Sequence, residues 1–177
     1  MATKVFILLD ADVIFHFHKA GRFDVLTTLF KERLLVLDVV LSELKDKTIR
    51  PVIERMLSQN LIREYAFPTD HEEIYEEYIG LRKKLGKGES ACMAVCRFKR
   101  EILASSNLRD IKPYCSEYGI AYLTTMDILA IALDKKVLTE KECDEAIAMI
   151  LAKNSRLPYN NISQYLKKDF DRSKCLY

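Results

Sequence analysis

The chain has 177 residues, of which 49% are hydrophobic and 31% are charged, so one well-buried globular core is expected. Lys and Arg (28) nearly balance Asp and Glu (26), and the net charge of +2 does not by itself indicate a nucleic-acid-binding protein. The sequence has no low-complexity run and no apolar segment with the length of a membrane span.

Cysteine usage and the first apolar run bear on the compartment. The five cysteines are odd in number and include no Cys-x-x-Cys pair, which is typical of reduced, buried thiols. Asp10 and Asp12 interrupt the N-terminal apolar run where a signal peptide needs a continuous one. We therefore expect a cytoplasmic protein that does not contact a membrane.

Strand and helix patterns alternate along the chain. Short runs bounded by charged or turn residues predict strands at 5–9, 34–37, 63–67, 101–105 and 120–123. Between and after them, helical spacing of apolar residues predicts helices, ending with one from about Thr139 to Lys153. Most of the strands are continuous apolar runs, as expected for a parallel sheet that is covered on both faces.

This alternation predicts an α/β fold with one three-layer α/β/α domain around a mostly parallel sheet of four or five strands. The domain is expected to span residues 1–157. Residues 158–177 are expected to form a short amphipathic tail that carries apolar side chains at Ile162, Tyr165, Leu166 and Phe170.

Two helix starts can be predicted from capping residues. Asp38 precedes an apolar stretch where an N-cap would stand, and Thr69 with Glu72 has the spacing of a capping box. The helix after Thr69 is expected to continue to Gly86, with acids first and basic residues last, as the helix dipole favours.

Two groups of titratable residues lie away from the strand ends and are expected to be structural. His16 and His18 point to different faces of a predicted helix and are expected at the surface or the edge of the core. A run of acids on the helix that ends near Gly86 is expected to form a solvated face: Glu72, Glu73, Glu76 and Glu77.

Acidic residues follow several of the predicted strands. Asp10 and Asp12 come directly after the first strand, Glu43 and Glu89 lie on later helices, and the turn at 106–110 follows the fourth strand. In parallel sheets the ligand site lies at the carboxyl ends of the strands, so these residues are expected to converge there.

Converging carboxylates repel one another unless a positive charge lies between them. Mg²⁺ and Mn²⁺ prefer oxygen ligands of this kind, with retained waters and substrate phosphates. Two such ions about 4 Å apart can activate water and stabilise the leaving oxygen of a phosphodiester. The carboxylate set is therefore suited to a metal-dependent nuclease.

Five segments resemble the PIN-domain nuclease family in order and spacing, over about Lys4 to Ala152. They read LLDADVIF, VLSELKD, GKGESACMAV, SSNLRDI and YGIAYLTTMDIL. PIN domains include the toxins of bacterial and archaeal toxin–antitoxin pairs. The resemblance implies a metal-dependent endoribonuclease that uses Mg²⁺ or Mn²⁺ and acts on RNA.

The resemblance assigns roles to acids of this chain. Asp10 matches the first acid of the family, Glu43 the second and Glu89 the third, while Asp12 stands where Asn is common. The family often reads Thr-Asn-Asp-Arg-Asp at the fourth acid, whereas this chain reads Ser106, Asn107, Leu108, Arg109 and Asp110. Either Asp110 or Asn107 compensates for Leu108, or metal binding is weakened.

On this basis we expect Asp10, Glu43, Glu89 and Asp110 to be catalytic, with Asp12 joining Asp10, Glu89 and Asp110 as a metal ligand. Four residues are expected to contact the substrate: Ser106, Asn107, Arg109 and Lys87. The toxin interpretation predicts a small antitoxin protein as a partner, and the apolar tail could pack on the domain or form a homodimer.

Two other functions fit parts of the pattern. A haloacid-dehalogenase-like phosphatase would use Asp10 as nucleophile and Asp12 as acid/base, but it would leave Glu43 and Glu89 without a role. A PIN-like domain that has lost catalysis and serves as a binding or assembly module is the alternative that Leu108 favours.

Overall fold

The computed structural model of the chain describes residues 4–177. Its centre is a five-stranded, fully parallel sheet with the strand order β3-β2-β1-β4-β5. The strands are β1 (Ile7–Leu9), β2 (Leu34–Leu37), β3 (Arg63–Tyr65), β4 (Ile102–Ala104) and β5 (Tyr122–Leu123). The prediction of an α/β/α fold with a parallel sheet is confirmed, and each strand is shorter than its sequence pattern or equal to it.

Helices flank the sheet and connect its parallel strands. They are α1 (Ala11–Ala20), α2 (Phe23–Leu29), α3 (Asp38–Leu41), α4 (Arg50–Ser58), α5 (Glu72–Leu81), α6 (Lys87–Lys99), α7 (Leu108–Tyr118), α8 (Thr125–Asp134), α9 (Glu140–Ala152), α10 (Ile162–Lys168) and a terminal 3₁₀ helix (Arg172–Leu176). None of the helices in residues 4–177 combines the length and the apolar character that a bilayer crossing requires.

The core is densest around the central strand and helix α6. Ile7, Leu8 and Leu9 of β1 are at most 1% exposed, because strands lie on both sides of β1 and helices cover the sheet. The middle of α6 is equally buried and includes Cys92 and Cys96. Both thiols are unpaired core residues, as expected.

Two helix-start predictions were wrong. Asp38 is the first residue of α3 rather than its cap, and its Oδ1 accepts the N–H groups of Val39 (2.7 Å) and Phe67 (3.0 Å). Helix α5 begins at Glu72 without any side-chain cap, so Thr69 and Glu72 do not form a capping box. Helix α5 also ends at Leu81 and not near Gly86.

The C-terminal segment packs against helix α8. Ile162 is fully buried and Tyr165 nearly so. The hydroxyl of Tyr165 donates to Oδ1 of Asp127 at 2.5 Å, and Nζ of Lys174 lies 2.7 Å from Oδ2 of the same carboxylate. Asp127 is fully buried and also belongs to the capping box that starts α8 with Thr124. The Asp127 carboxylate therefore holds both α10 and the terminal 3₁₀ helix.

Candidate active site

Asp10 is fixed at the carboxyl end of the central strand. Its main-chain N–H donates to the carbonyl oxygen of Ala104 at 2.9 Å, which continues the pairing of β1 with β4 by one residue. Its Oδ1 accepts the N–H of Ala11 at 2.8 Å as the N-cap of α1. The residue is only 6% exposed. Strand pairing and capping together hold this carboxylate at the carboxyl end of the sheet.

Asp12, in the first turn of α1, reaches the loop after β4. Its Oδ2 accepts the main-chain N–H of Ser106 at 2.7 Å and lies 3.5 Å from the hydroxyl of Ser105. Its Oδ1 accepts the N–H of Val13 at 2.6 Å. Asp12 thus connects the end of β1 to the end of β4.

Asn107 links two further acids from different helices. Its Nδ2 donates to Oε1 of Glu89 at 2.8 Å and to Oδ2 of Asp110 at 2.7 Å. Glu89 lies in the first turn of α6 and Asp110 in the first turn of α7. The amide therefore holds both carboxylates beside the loop that Asp12 contacts.

Glu43 approaches from the turn that follows α3. Its Oε1 accepts the N–H of Gly88 at 3.1 Å, an amide in the first turn of α6 that has no partner within its own helix. A Cβ at Gly88 would overlap the Glu43 carboxylate and crowd Val40. Only glycine at this position lets Glu43 come so close to the start of α6.

We name these five carboxylates the acidic cluster: Asp10, Asp12, Glu43, Glu89 and Asp110. Burial, followed by the charge of Asp12, raises the pKa of Asp10 to about 7. Burial also raises the pKa of Asp12, although two main-chain hydrogen bonds oppose the shift. Burial, then the charges of Asp10 and Asp110, raises the pKa of Glu89 to about 7.

The negative charge of the acidic cluster is not balanced by the protein. None of the ion pairs found in residues 4–177 includes a member of the cluster. Carboxyl oxygens are the ligands that Mg²⁺ and Mn²⁺ prefer, so the donor chemistry fits such an ion. Across the described residues, however, no three Asp, Glu, His or Cys side chains already form an ion-binding group.

Asn107 holds two of these acids in place. Its amide nitrogen donates to one oxygen of Glu89 and to one oxygen of Asp110. The second oxygen of each carboxylate takes no part in these hydrogen bonds, so both acids can serve as ion ligands while Asn107 orients them.

The predicted substrate-binding residues differ in their availability. Arg109 and Lys87 are exposed at the starts of α7 and α6. The hydroxyl of Ser106 donates to Oγ1 of Thr125 at 2.9 Å and accepts the N–H of Thr125 at the same distance. Oγ1 of Thr125 also lies 2.8 Å from Nδ1 of His16. Ser106 is therefore held in a network of internal hydrogen bonds.

Sequence reasoning misplaced His16 and missed Thr125. His16 is 7% exposed and was expected at the surface or the core edge, whereas His18 is half-buried and bonds Thr48. Burial lowers the pKa of His16 to about 4, so the ring is neutral at neutral pH. The bond between His16 and Thr125 joins residues 109 positions apart, for which the sequence carries no signal.

A comparison with family models assigns the chain. A model described as a PIN domain matches residues 6–169. The chain belongs to the PIN domain family. PIN domains are a nuclease family that generally uses divalent metal ions and acts on RNA. Searches among curated proteins and among solved structures found no significant match. Membership of this family favours a nuclease over the phosphatase alternative.

The contact of Glu43 with α6 predicts that Gly88→Ala destabilises this PIN domain. The added methyl would displace the Glu43 carboxylate and cost its hydrogen bond with the Gly88 N–H, so we expect the free energy of unfolding to fall by up to about 1.5 kcal/mol in urea denaturation. Gly80→Ala is the matched control, because Gly80 lies in α5 with nothing within 4 Å. That variant should gain about 0.5–1 kcal/mol. An equal gain in both variants would show that Glu43 does not lie against Gly88.

The raised pKa of Asp10 predicts a pH-dependent gain from Asp10→Asn, which keeps a capping side chain. The pKa of Asp10 is about 7 in the folded chain, against 3.8 for an unperturbed Asp, so stability is lost as pH rises from about 4 to about 7. Without divalent ions, the stability advantage of Asp10→Asn over the natural sequence should grow by about 1–3 kcal/mol between about pH 5 and pH 8.

Urea denaturation in a chelating buffer at the two pH values measures this difference. Asp24→Asn is the control, because that carboxylate has 63% of its side chain exposed, and its effect should stay within about 0.5 kcal/mol at both pH values. An advantage of Asp10→Asn that does not change with pH would contradict the assigned burial and charge repulsion.

Proposed function

We propose that this PIN domain is a metal-dependent endoribonuclease that hydrolyses RNA phosphodiester bonds at the acidic cluster. The observation that carries the proposal is the unbalanced, partly buried charge at the carboxyl ends of β1 and β4. Such an arrangement destabilises the fold, so a function that needs the charges explains their presence.

Asp10, Asp12, Glu89 and Asp110 are the proposed ligands of Mg²⁺ or Mn²⁺. When bound, such an ion activates water and stabilises negative charge on phosphate oxygens. Glu43 is the one proposed catalytic acid that is not a proposed ion ligand, and its hydrogen bond with Gly88 sets its position. Asp110 takes the place of the acid that the family pattern has at Leu108, since Asn107 already holds Asp110 next to Glu89.

RNA contacts are proposed for residues at the rim of the cluster. Arg109 and Lys87 are exposed cations within two residues of Asp110 and Glu89, where they could bind backbone phosphates. Asn107, which lies between Glu89 and Asp110, would help to orient a bound phosphate. Ser106 contributes through its main-chain N–H, which fixes Asp12.

The same proposal includes a biological setting. We extend the proposal to the toxin of a toxin–antitoxin pair, whose partner would be a small antitoxin protein that covers the acidic cluster. A homodimer and a cytoplasmic location belong to the same set of predictions from the sequence. The alternative of a binding or assembly module rests on Leu108, which stands where the family pattern has an acid.

A cleavage assay distinguishes the nuclease from the binding module. Unstructured and tRNA-like RNAs are incubated with the protein and Mn²⁺ or Mg²⁺. Asp10→Asn should lower the cleavage rate by at least about 100-fold, because changing even outer partners of metal ligands costs roughly 10–100-fold.

Glu73→Gln is the control variant, because Glu73 is an exposed acid on α5 outside the cluster, and its rate should match that of the natural sequence. Cleavage that survives in Asp10→Asn, or that continues in a chelator, would contradict the proposed site. No cleavage by the natural sequence would favour the binding module.

A further inference from the structure

A pocket of about 180 Å³ lies next to the acidic cluster, and no proposed catalytic acid lines it. We name it the side pocket. Its lining includes Ser106 and Leu108 from the start of α7, Tyr122 of β5, and Arg156 and Leu157 from the segment after α9. The C-terminal segment closes the pocket through Tyr165 and Lys174.

The wall with Ser106 and Leu108 is shared with the acidic cluster. The N–H of Ser106 binds Asp12 at 2.7 Å, and Asn107 holds Glu89 and Asp110. Leu108 follows directly, starts α7 and is 37% exposed. A ligand in the side pocket would therefore be separated from the acids by a single loop.

The side pocket is lined by one buried carboxylate, whose charge is balanced by a lysine. The fully buried Asp127 accepts hydrogen bonds from Tyr165 at 2.5 Å and Lys174 at 2.7 Å. Nζ of Lys174 also lies 4.1 Å from the centroid of the Tyr122 ring. These contacts hold Tyr165 and Lys174 in place. The pocket lining therefore combines aromatic and apolar surface with the ammonium group of Lys174.

The rim of the side pocket carries cations without protein partners. Lys112 and Arg156 are exposed, and neither takes part in an ion pair or side-chain hydrogen bond within residues 4–177. Asp169, also at the rim, accepts the hydroxyl of Tyr159 at 2.6 Å. Counting Lys174 and Asp127, the pocket residues have three cations and two anions, a surplus of one positive charge beside a negative cluster.

We propose that the side pocket binds one unstacked nucleotide of single-stranded RNA, next to the phosphodiester presented to the acidic cluster. The base lies against Leu108, Leu157 and Tyr122, and the adjoining phosphates contact Lys112 and Arg156. Single-stranded RNA is recognised through such splayed bases and through cations on its backbone. The volume is below the roughly 300–1,000 Å³ of pockets for drug-sized ligands, which suits a single base.

This inference rests on the proposed ribonuclease function and gives Leu108 a role. An acid at that position would add negative charge beside the RNA backbone, whereas leucine provides apolar surface for a base. The departure of this chain from the family pattern thus becomes part of substrate binding.

Binding of a fluorescein-labelled single-stranded RNA to the full chain, measured by anisotropy in a chelating buffer, tests the rim. The double variant Lys112→Ala, Arg156→Ala should raise the Kd about tenfold and reduce the salt dependence by about one to two phosphate contacts. The control is the double variant Lys99→Ala, Arg100→Asn, which removes the same charge at the end of α6, before β4. Asn is used at position 100 because Arg100 has a positive φ, which Asn tolerates. The control should stay within about twofold.

A second pair of variants tests the wall. Leu108→Ala should weaken binding about fivefold or more, with the salt dependence unchanged, because it removes a contact with a base. Leu176→Ala is the matched control, since Leu176 is 87% exposed and lies outside the side pocket. Melting temperatures of all variants show whether the fold is kept.

The outcomes separate this inference from the proposed function. Because binding is measured without metal, loss of cleavage does not affect the result. If the natural sequence cleaves RNA and both pocket variants keep its RNA affinity, the proposed nuclease function is kept and the proposed nucleotide site is wrong. Equal weakening by pocket and control variants, or no RNA binding at all, would also overturn it.

Discussion

The hydrogen bond from the main-chain N–H of Asp10 to the carbonyl of Ala104 extends the β1–β4 pairing past the end of β1. It places the first acid beside the loop of Ser105 to Asn107, so that Asp12 can accept the Ser106 N–H. The same loop holds Glu89 and Asp110 through Asn107, whereas Glu43 is held by Gly88 of α6. Both paired strands, β1 and β4, are buried along their whole length, which makes this pairing hard to shift and gives the site a rigid base.

In the acidic cluster the fold places carboxylates in surroundings that disfavour their charged forms. Burial and mutual repulsion raise the pKa of Asp10 and of Glu89, which means that their charged forms are disfavoured in the folded chain. By contrast, the fully buried Asp127 is balanced by Lys174 and by hydroxyl donors. One carboxylate stabilises the tail through protein partners, whereas no ion pair in residues 4–177 includes a member of the cluster.

Much of this arrangement could be predicted from the sequence, because it depends on short-range patterns. Apolar runs predicted four of the five strands, and the acids after β1 predicted the end of the sheet at which the acidic cluster lies. The exact contacts could not be predicted, because they join distant segments: Asp38 bonds Phe67 instead of capping its own helix, and Asn107 bridges two helices. The side pocket could not be predicted from the sequence for the same reason, since its walls come from α7 and from the C-terminal segment. Only Leu108, an apolar residue where the family has an acid, gave a signal.

Calorimetric titration of the full, metal-free chain with Mn²⁺ tests most directly whether the acidic cluster is a cation site. We predict saturable binding to the natural sequence, weakened at least about tenfold in Asp10→Asn and in Asp110→Ala. Glu73→Gln, which changes an exposed acid outside the cluster, should bind Mn²⁺ as the natural sequence does. No saturable binding, or equal affinity in all four proteins, would contradict the account.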